Sequence, residues 1–182
     1  VIGWILKFIF GKKDKEIKRA LGFGCNRMVV DNIEEMKKFI PYAGQVELII
    51  RVGFRSKQAV VDLSRKFGCA LEELPILISL AKDYGINVVG LSFHVGSQSL
   101  SSMTQVNAIR SSIAAMKLMN GVNWKFLDIG GSFPISYQEE VLSISDFCAP
   151  VMEALSELPK DIEVFAEPGR FISAPSMIEV VS

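Results

Sequence analysis

An α/β fold is predicted: a partial (β/α)₈ TIM-type barrel with about five clear parallel strands. Three observations carry it. Five short apolar runs alternate with segments of helical period, joined by only a few residues, which is the pattern of a parallel sheet. The residues able to do chemistry (Arg51, His94, Ser97, Gly130, Gly131, Glu167 and Arg170) fall at or just past the carboxyl ends of those runs. Doubly wound sheets and barrels both place their sites there. The glycines and Arg170, which suit an anion, lie on the last two strands, and that placement favours the barrel.

Length and composition agree with one well-filled domain. The chain has 182 residues, 49% of them hydrophobic, enough for a substantial core. Its 20 basic residues cancel 20 acidic ones, so no basic surface for nucleic acid or a membrane is expected. Cys25, Cys69 and Cys148 have no C-x-x-C spacing and there is a single histidine. That argues against a zinc site and a disulfide framework, and it fits a reducing, cytoplasmic setting. Residues 1–10 are strongly apolar but include Lys7, and a bilayer span needs about 20 residues. They are expected to be a core segment.

Each element has its own signal. Residues 12–20 form a charged, helix-prone run that Gly22 can cap, with a solvated outer face. Residues 28–30 read as a strand. Asn32 and Glu35 then stand at capping-box spacing, ahead of Ile33, Met36, Phe39 and Ile40 on one helical face, and Pro41 ends the helix. Residues 45–52 are a second strand, apolar enough to be buried on both faces. Residues 53–68 lack a period and are expected to be an irregular loop. A helix is predicted over 71–84, with Pro75 in its first turn and Gly85 as its stop. Residues 87–93 are the third strand, 104–119 a helix, and 124–129 the fourth strand. A helix over 145–158 has Ser145 as its expected N-cap. Residues 162–166 are the fifth strand, and 177–181 could begin another strand or helix.

The centre of the reading is Leu127-Asp128-Ile129-Gly130-Gly131-Ser132-Phe133-Pro134. A buried strand running into side-chain-free backbone lets peptide N–H groups close on an anion. The plainer alternative is a tight strand-to-loop turn. Bland alternatives exist for the rest: a structural role for His94, a surface ion pair within Glu167-Pro168-Gly169-Arg170, and a helix-capping role for Arg51. Convergence of all of them on one end of one sheet favours a joint binding site.

Four ordered motifs carry a resemblance over about residues 28–178. They are Ser64-Arg65-Lys66-Phe67-Gly68, Gly90-Leu91-Ser92-Phe93-His94-Val95-Gly96-Ser97-Gln98, Leu127-Asp128-Ile129-Gly130-Gly131 and Ala166-Glu167-Pro168-Gly169-Arg170-Phe171. In these the chain resembles the pyridoxal-phosphate-dependent ornithine/diaminopimelate/arginine decarboxylases, whose barrel is of the alanine racemase kind. The Ser-Phe-His-Val and Gly-Gly-x-Phe-Pro forms look most like ornithine decarboxylases, and Gln98 is seen more in the bacterial-type and diaminopimelate branches. The resemblance implies pyridoxal 5'-phosphate as cofactor, with Glu167 paired to the ring nitrogen and His94 stacked on the ring. It further implies phosphate held by Gly130, Gly131, Ser97 and Arg170, and Arg51 helping to position the cofactor linkage. The implied reaction is decarboxylation of a basic amino acid, ornithine to putrescine, in polyamine biosynthesis. A homodimer is implied with it.

The departures are equally specific. The family's cofactor-bonding lysine sits in a Tyr/Phe-Ala-Val-Lys-x-Asn stretch that does not occur here, and Lys7 is only a weak substitute. Ser132 replaces the usual third glycine. Residues 1–27 are expected to be an atypical segment standing in for early barrel strands, and 28–182 the cofactor-binding barrel portion. The family's carboxyl-terminal β domain and its catalytic residues are not matched. The expectation is therefore a truncated or inactive form. A non-catalytic homologue that binds a partner, as antizyme inhibitors do, is the alternative.

Overall fold

The computed structural model describes residues 13–54, 59–61, 67–137 and 140–176. Lys7, Ser64, Arg65, Lys66 and the segment 177–181 lie outside the described residues.

Five strands form one parallel sheet: β1 (Arg27–Val30), β2 (Glu47–Val52), β4 (Asn87–Phe93), β6 (Phe126–Asp128) and β7 (Glu163–Phe165). Their order in space is their order in the chain, and every neighbouring pair is parallel. A doubly wound sheet reverses its order somewhere and carries helices on both faces. This one does not reverse. Six helices accompany the described strands: α1 (Asp14–Gly22), α2 (Ile33–Lys37), α3 (Leu74–Asp83), α4 (Ser102–Leu118), α5 (Ile144–Leu155) and the short α6 (Gly169–Ser173).

The main core lies between one sheet face and the helices. Met28, Val30, Leu48, Ile50, Leu91 and Leu127 meet Met36, Phe39, Leu77, Ile109, Ile113 and Phe147. Ile17 and Ala20 bring α1 into the same core. The opposite face carries a smaller cluster, Ile49, Val89 and Phe126, with Val29 and Phe165 packed against it. A one-sided helix layer over a sheet of unbroken order is the wall of a (β/α) barrel, and the small cluster lines its interior. Both faces of β2 are buried, as its continuous apolar run requires.

The interior face changes character toward the amino ends of the strands. Glu47 accepts from Lys125 Nζ at 2.6 Å and from Arg27 Nε at 3.3 Å, tying β2 to β1 and to the start of β6. The Arg27 guanidinium lies 4.1 Å from the Phe126 ring centroid, a cation–π contact that covers this floor.

Several boundaries differ from the pattern-based expectation. The loop expected over 53–68 contains β3 (Ala59–Val61), which pairs antiparallel with β5 (Ser97–Ser99) as a separate ribbon. Helix α2 stops early: Asn32 caps it by accepting from Glu35 N–H at 2.8 Å, but Pro41 sits inside a following 3₁₀ turn, Ile40–Tyr42. Ile33 consequently falls outside the buried face and is 38% exposed. The N-cap of α5 is Ser143, whose Oγ accepts from Asp146 N–H at 3.1 Å, not Ser145, which the helix includes. Gly22 ends up as the last residue of α1, and Phe23 takes the cap position.

Glu47 supplies a pH test. Burial alone would raise its carboxyl, but the bonds from Lys125 and Arg27 outweigh that and hold it below the ordinary 4.5. A depressed folded value means stability that is present above the unfolded value, about 4.3, and lost as pH falls through the folded one. Glu47→Gln should lower the melting temperature at pH 7 and flatten the decline in stability below about pH 5. Thermal melts of both proteins across pH 3–7 check this; parallel profiles would remove Glu47 from the acid response.

Candidate functional site

The strand ends of β4, β6 and β7 are drawn together at their carboxyl side because β6 runs into glycine. Asp128 Oδ1 accepts from Gly130 N–H at 2.8 Å, which bends the chain directly after the strand and sets Gly130 at φ +67°. A Cβ on Gly130 would fall inside contact distance of the Phe93 carbonyl oxygen. On Gly131 it would come within 2.7 Å of the Glu167 carbonyl oxygen and 3.4 Å of His94 Nε2. The β7 side is stitched on by Glu167 N–H donating to the Gly130 carbonyl at 2.8 Å. Three sequence-distant segments thus meet around a stretch of bare backbone.

His94, the one histidine, sits half-buried against this turn. Its Nδ1 accepts from Gly96 N–H at 3.1 Å, and Ser132 Oγ lies 3.5 Å from the same nitrogen. An Nδ1 that accepts carries no proton, which puts the ring proton of the neutral imidazole on Nε2.

Ser97 and Arg170 close the other side. Arg170 Nε donates to Ser97 Oγ at 3.0 Å, and Nη1 donates to Tyr137 Oη at 2.9 Å. Arg170 stands on α6, directly after Glu167-Pro168 and the Gly169 N–H bond to the Glu167 carbonyl at 2.7 Å. The pair Glu167 and Arg170 is thereby fixed by one compact turn.

Arg51 enters from below. In register Arg51 lies beside Ser92, and Ser92 beside Asp128, so β2, β4 and β6 present one polar row on the interior face. All three are buried, Arg51 at 4% exposure and the other two at 1%. Burial pulls the Arg51 guanidinium below its ordinary value, while the charges of Asp31, Glu167 and Asp128 work in the opposite direction. Asp31, at the end of β1, also accepts from Gly68 N–H at 3.0 Å. The Ser92 hydroxyl has no hydrogen-bond partner among the described residues.

All seven described residues expected from the sequence therefore lie on the carboxyl ends of the strands or just beyond. Gly131, His94 and Glu167 come into contact range, Ser97 and Arg170 bond directly, and Arg51 shares its electrostatic surroundings with Glu167. Lys7 lies outside the described residues. The cysteines take no part: burial pushes the Cys69 thiol up to about 12, so it is not a ready thiolate.

Gln105, Gln98 and Phe133, given no role from the sequence, hold the turn in shape. Gln105, fully buried on α4, donates to the Ile129 carbonyl at 3.1 Å and to that of Gly131 at 3.5 Å. Gln98 clamps the loop beyond the glycines, donating to the Ile135 carbonyl at 2.6 Å and accepting from its N–H at 3.2 Å. Phe133 anchors the same loop on α5, its ring 6.0 Å from that of Phe147. Among the described residues the two non-glycines with positive φ are Gln98 (57°) and Ser132 (82°), both on this rim. Such backbone strain costs about 1–3 kcal/mol and collects at functional sites. A positive-φ residue gives no composition signal when it is not glycine, and a buried glutamine inside an apolar helix face was the only hint of Gln105.

Comparison with known proteins locates this arrangement. The family model described as the pyridoxal binding domain of pyridoxal-dependent decarboxylases matches residues 8–174. A lysine/ornithine decarboxylase of Selenomonas ruminantium is 31% identical over 180 residues, covering 94% of this chain and 44% of that protein. The crystal structure of a lysine/ornithine decarboxylase from Vibrio vulnificus, complexed with putrescine, superposes with a TM-score of 0.81 at 45% identity, over 91% of this chain and 44% of that one. Antizyme inhibitor 2 of Xenopus laevis is 29% identical over 167 residues, 90% of this chain and 37% of that protein. The chain spans less than half the length of each of these relatives.

Two outcomes test the geometry. Gly130→Ala combines a strained left-handed φ with a clash against the Phe93 carbonyl, so its melting temperature should fall by at least about 3–6 °C; an unchanged melt would mean the turn is looser than described. With one histidine, a ¹⁵N-histidine sample gives a single imidazole, and its shifts should show the Nε2–H tautomer at neutral pH. An Nδ1–H signature would contradict the Gly96 contact.

Proposed function

The chain belongs to the pyridoxal-dependent decarboxylases, within their pyridoxal-binding domain, and we propose that it serves the decarboxylation of a small basic amino acid, ornithine to putrescine in the first instance. Pyridoxal phosphate is the cofactor of this domain, and the residues present fit it. The cradle at Gly130 and Gly131 is one that a Cβ would fill. Beside it stand a guanidinium bonded to two hydroxyls, a flat imidazole and a carboxylate, which suit a phosphate ester and an aromatic nitrogen base.

The roles follow from that fit. Gly130 and Gly131 would offer backbone to the phosphate, with Ser97 and Arg170 closing on it by O–H and N–H donors. Glu167 would hold a proton at the ring nitrogen, and His94 would lie flat against the ring as a neutral Nε2–H imidazole. Arg51, buried within the field of Asp31, Asp128 and Glu167, would help to position the cofactor from below. When bound, the cofactor supplies an electron-withdrawing ring that takes up the pair left on the α carbon as carbon dioxide departs. The single observation that carries the reading is the meeting of His94, Gly131 and Glu167 beside the Arg170–Ser97 bond.

Substrate choice among ornithine, lysine and arginine is supported for the first two by the lysine/ornithine decarboxylases among the relatives. A homodimer and a cytoplasmic setting belong to the same proposal; the three cysteines are all free, which fits a reducing compartment. Among the described residues no helix is long and apolar enough to cross a membrane.

A second reading, a regulatory homologue without catalysis, is favoured by the likeness to antizyme inhibitor 2. Titration with pyridoxal phosphate, followed by absorbance and then by borohydride trapping and peptide mapping, separates the two. A trapped lysine supports the decarboxylase; binding without any trapped lysine supports the regulatory homologue. Arg170→Ala should weaken cofactor binding by about 10–100-fold, the value of a charge-assisted bond. Undiminished binding in that variant would refute the phosphate site.

A further inference from the structure

We propose that Tyr137 is a further binding residue of the phosphate site, giving it a phenolic O–H donor from the loop that also carries the glycines. The inference rests on the cofactor reading above and adds a residue to it.

The argument is one of donors and acceptors. Arg170 spends its Nε–H on Ser97 Oγ at 3.0 Å and one Nη1–H on Tyr137 Oη at 2.9 Å. A hydroxyl that accepts from an N–H keeps its own proton to give. Ser97 and Tyr137 therefore flank the guanidinium as two O–H donors. Of the five N–H groups of an arginine, the two bonds leave three more. The cluster thus holds two hydroxyl protons and three further guanidinium N–H groups as donors beside one another. A phosphate monoester has three terminal oxygens to accept them, so a cluster this rich in donors suits it better than a carboxylate with two oxygens.

Tyr137 is also held where the argument needs it. It follows Ile135, which Gln98 clamps from both its N–H and its carbonyl, and Phe133, which is seated on Phe147. The segment between Gly131 and Tyr137 thus cannot drift far from the cup. The phenol ring is 61% exposed, so it contributes little to the core and the hydroxyl can be removed without unfolding the chain. The competing account is an ordinary surface hydrogen bond between two exposed groups, worth about 0–1 kcal/mol and indifferent to ligand.

Affinity measurements on the whole chain decide between them, using pyridoxal 5'-phosphate, inorganic phosphate and pyridoxal as three separate probes. In Tyr137→Phe the two phosphate-bearing probes should bind about tenfold more weakly, as for loss of one bond to a charged group, while pyridoxal binding is unchanged. A melting temperature equal to that of the unaltered chain shows the effect to be local. Equal affinity of both proteins for both phosphate probes would overturn the inference and leave the cofactor reading standing. An equal loss for all three probes would also overturn it, since that is the signature of a general loosening. Failure of the unaltered chain to bind either phosphate probe would overturn the cofactor reading and this inference with it.

Discussion

The site depends on one close approach, that of the backbone at Gly130 and Gly131 to the ends of the strands on either side. No side chain can stand between β6 and the Phe93 carbonyl, or between Gly131 and the Glu167 carbonyl. With that space empty, the chain after β4 and the chain after β7 come close enough to share a cradle. His94 then reaches the turn with its Nε2 edge, and Glu167 reaches it through a backbone bond to Gly130. Arg170 follows within the same short turn. The chemistry gathered there is a consequence of missing Cβ atoms, and the side chains are placed by backbone contact before they do anything else.

Below the cradle the barrel interior has to carry charge, which an apolar sheet face does not tolerate unaided. Arg51 is nearly inaccessible, and burying an isolated guanidinium would be costly. Asp31, Asp128 and Glu167 offset that cost from the carboxyl ends of three different strands or just beyond them. Asp128 also accepts the Gly130 N–H, so the residue that helps to neutralise Arg51 also bends the chain into the glycine turn. This couples the interior polar row to the shape of the cup. The two positive-φ residues, Gln98 and Ser132, are strained points on the same rim, held by the Gln98 clamp on Ile135 and by the Ser99 N–H bond to the Ser132 carbonyl at 3.1 Å.

Much of this was legible before any coordinates. Parallel strands covered by helices on one face and by the barrel interior on the other are continuous apolar runs, which is why residues 45–52 and 87–93 stood out and proved to be β2 and β4. Asn32 and Pro75 announced helix starts by local chemistry alone. The ribbon of β3 and β5 was not legible, because Ser97-Gln98-Ser99 has no apolar run and both strands fall outside the strand–helix repeat that announced the equally short β6 and β7. Ser143 and Ser145 are both acceptable caps in sequence, and the choice was made by where the chain leaves the loop. In the site, His94, Glu167 and the glycines carry a family pattern. Gln105 and Tyr137 act through partners fixed only by the fold: Gln105 bonds across 24 residues and Tyr137 across 33. No local pattern encodes such a pair.

The central claim is that the cradle at the carboxyl ends of β4, β6 and β7 receives the phosphate of the cofactor. Amide chemical shifts measured while the ¹⁵N-labelled chain is titrated with pyridoxal 5'-phosphate test it most directly. The account predicts that the N–H signals of Gly131, Ser132 and Arg170 move most, together and saturably. Movement confined to residues at the amino ends of the strands, around Glu47 and Lys125, would contradict it.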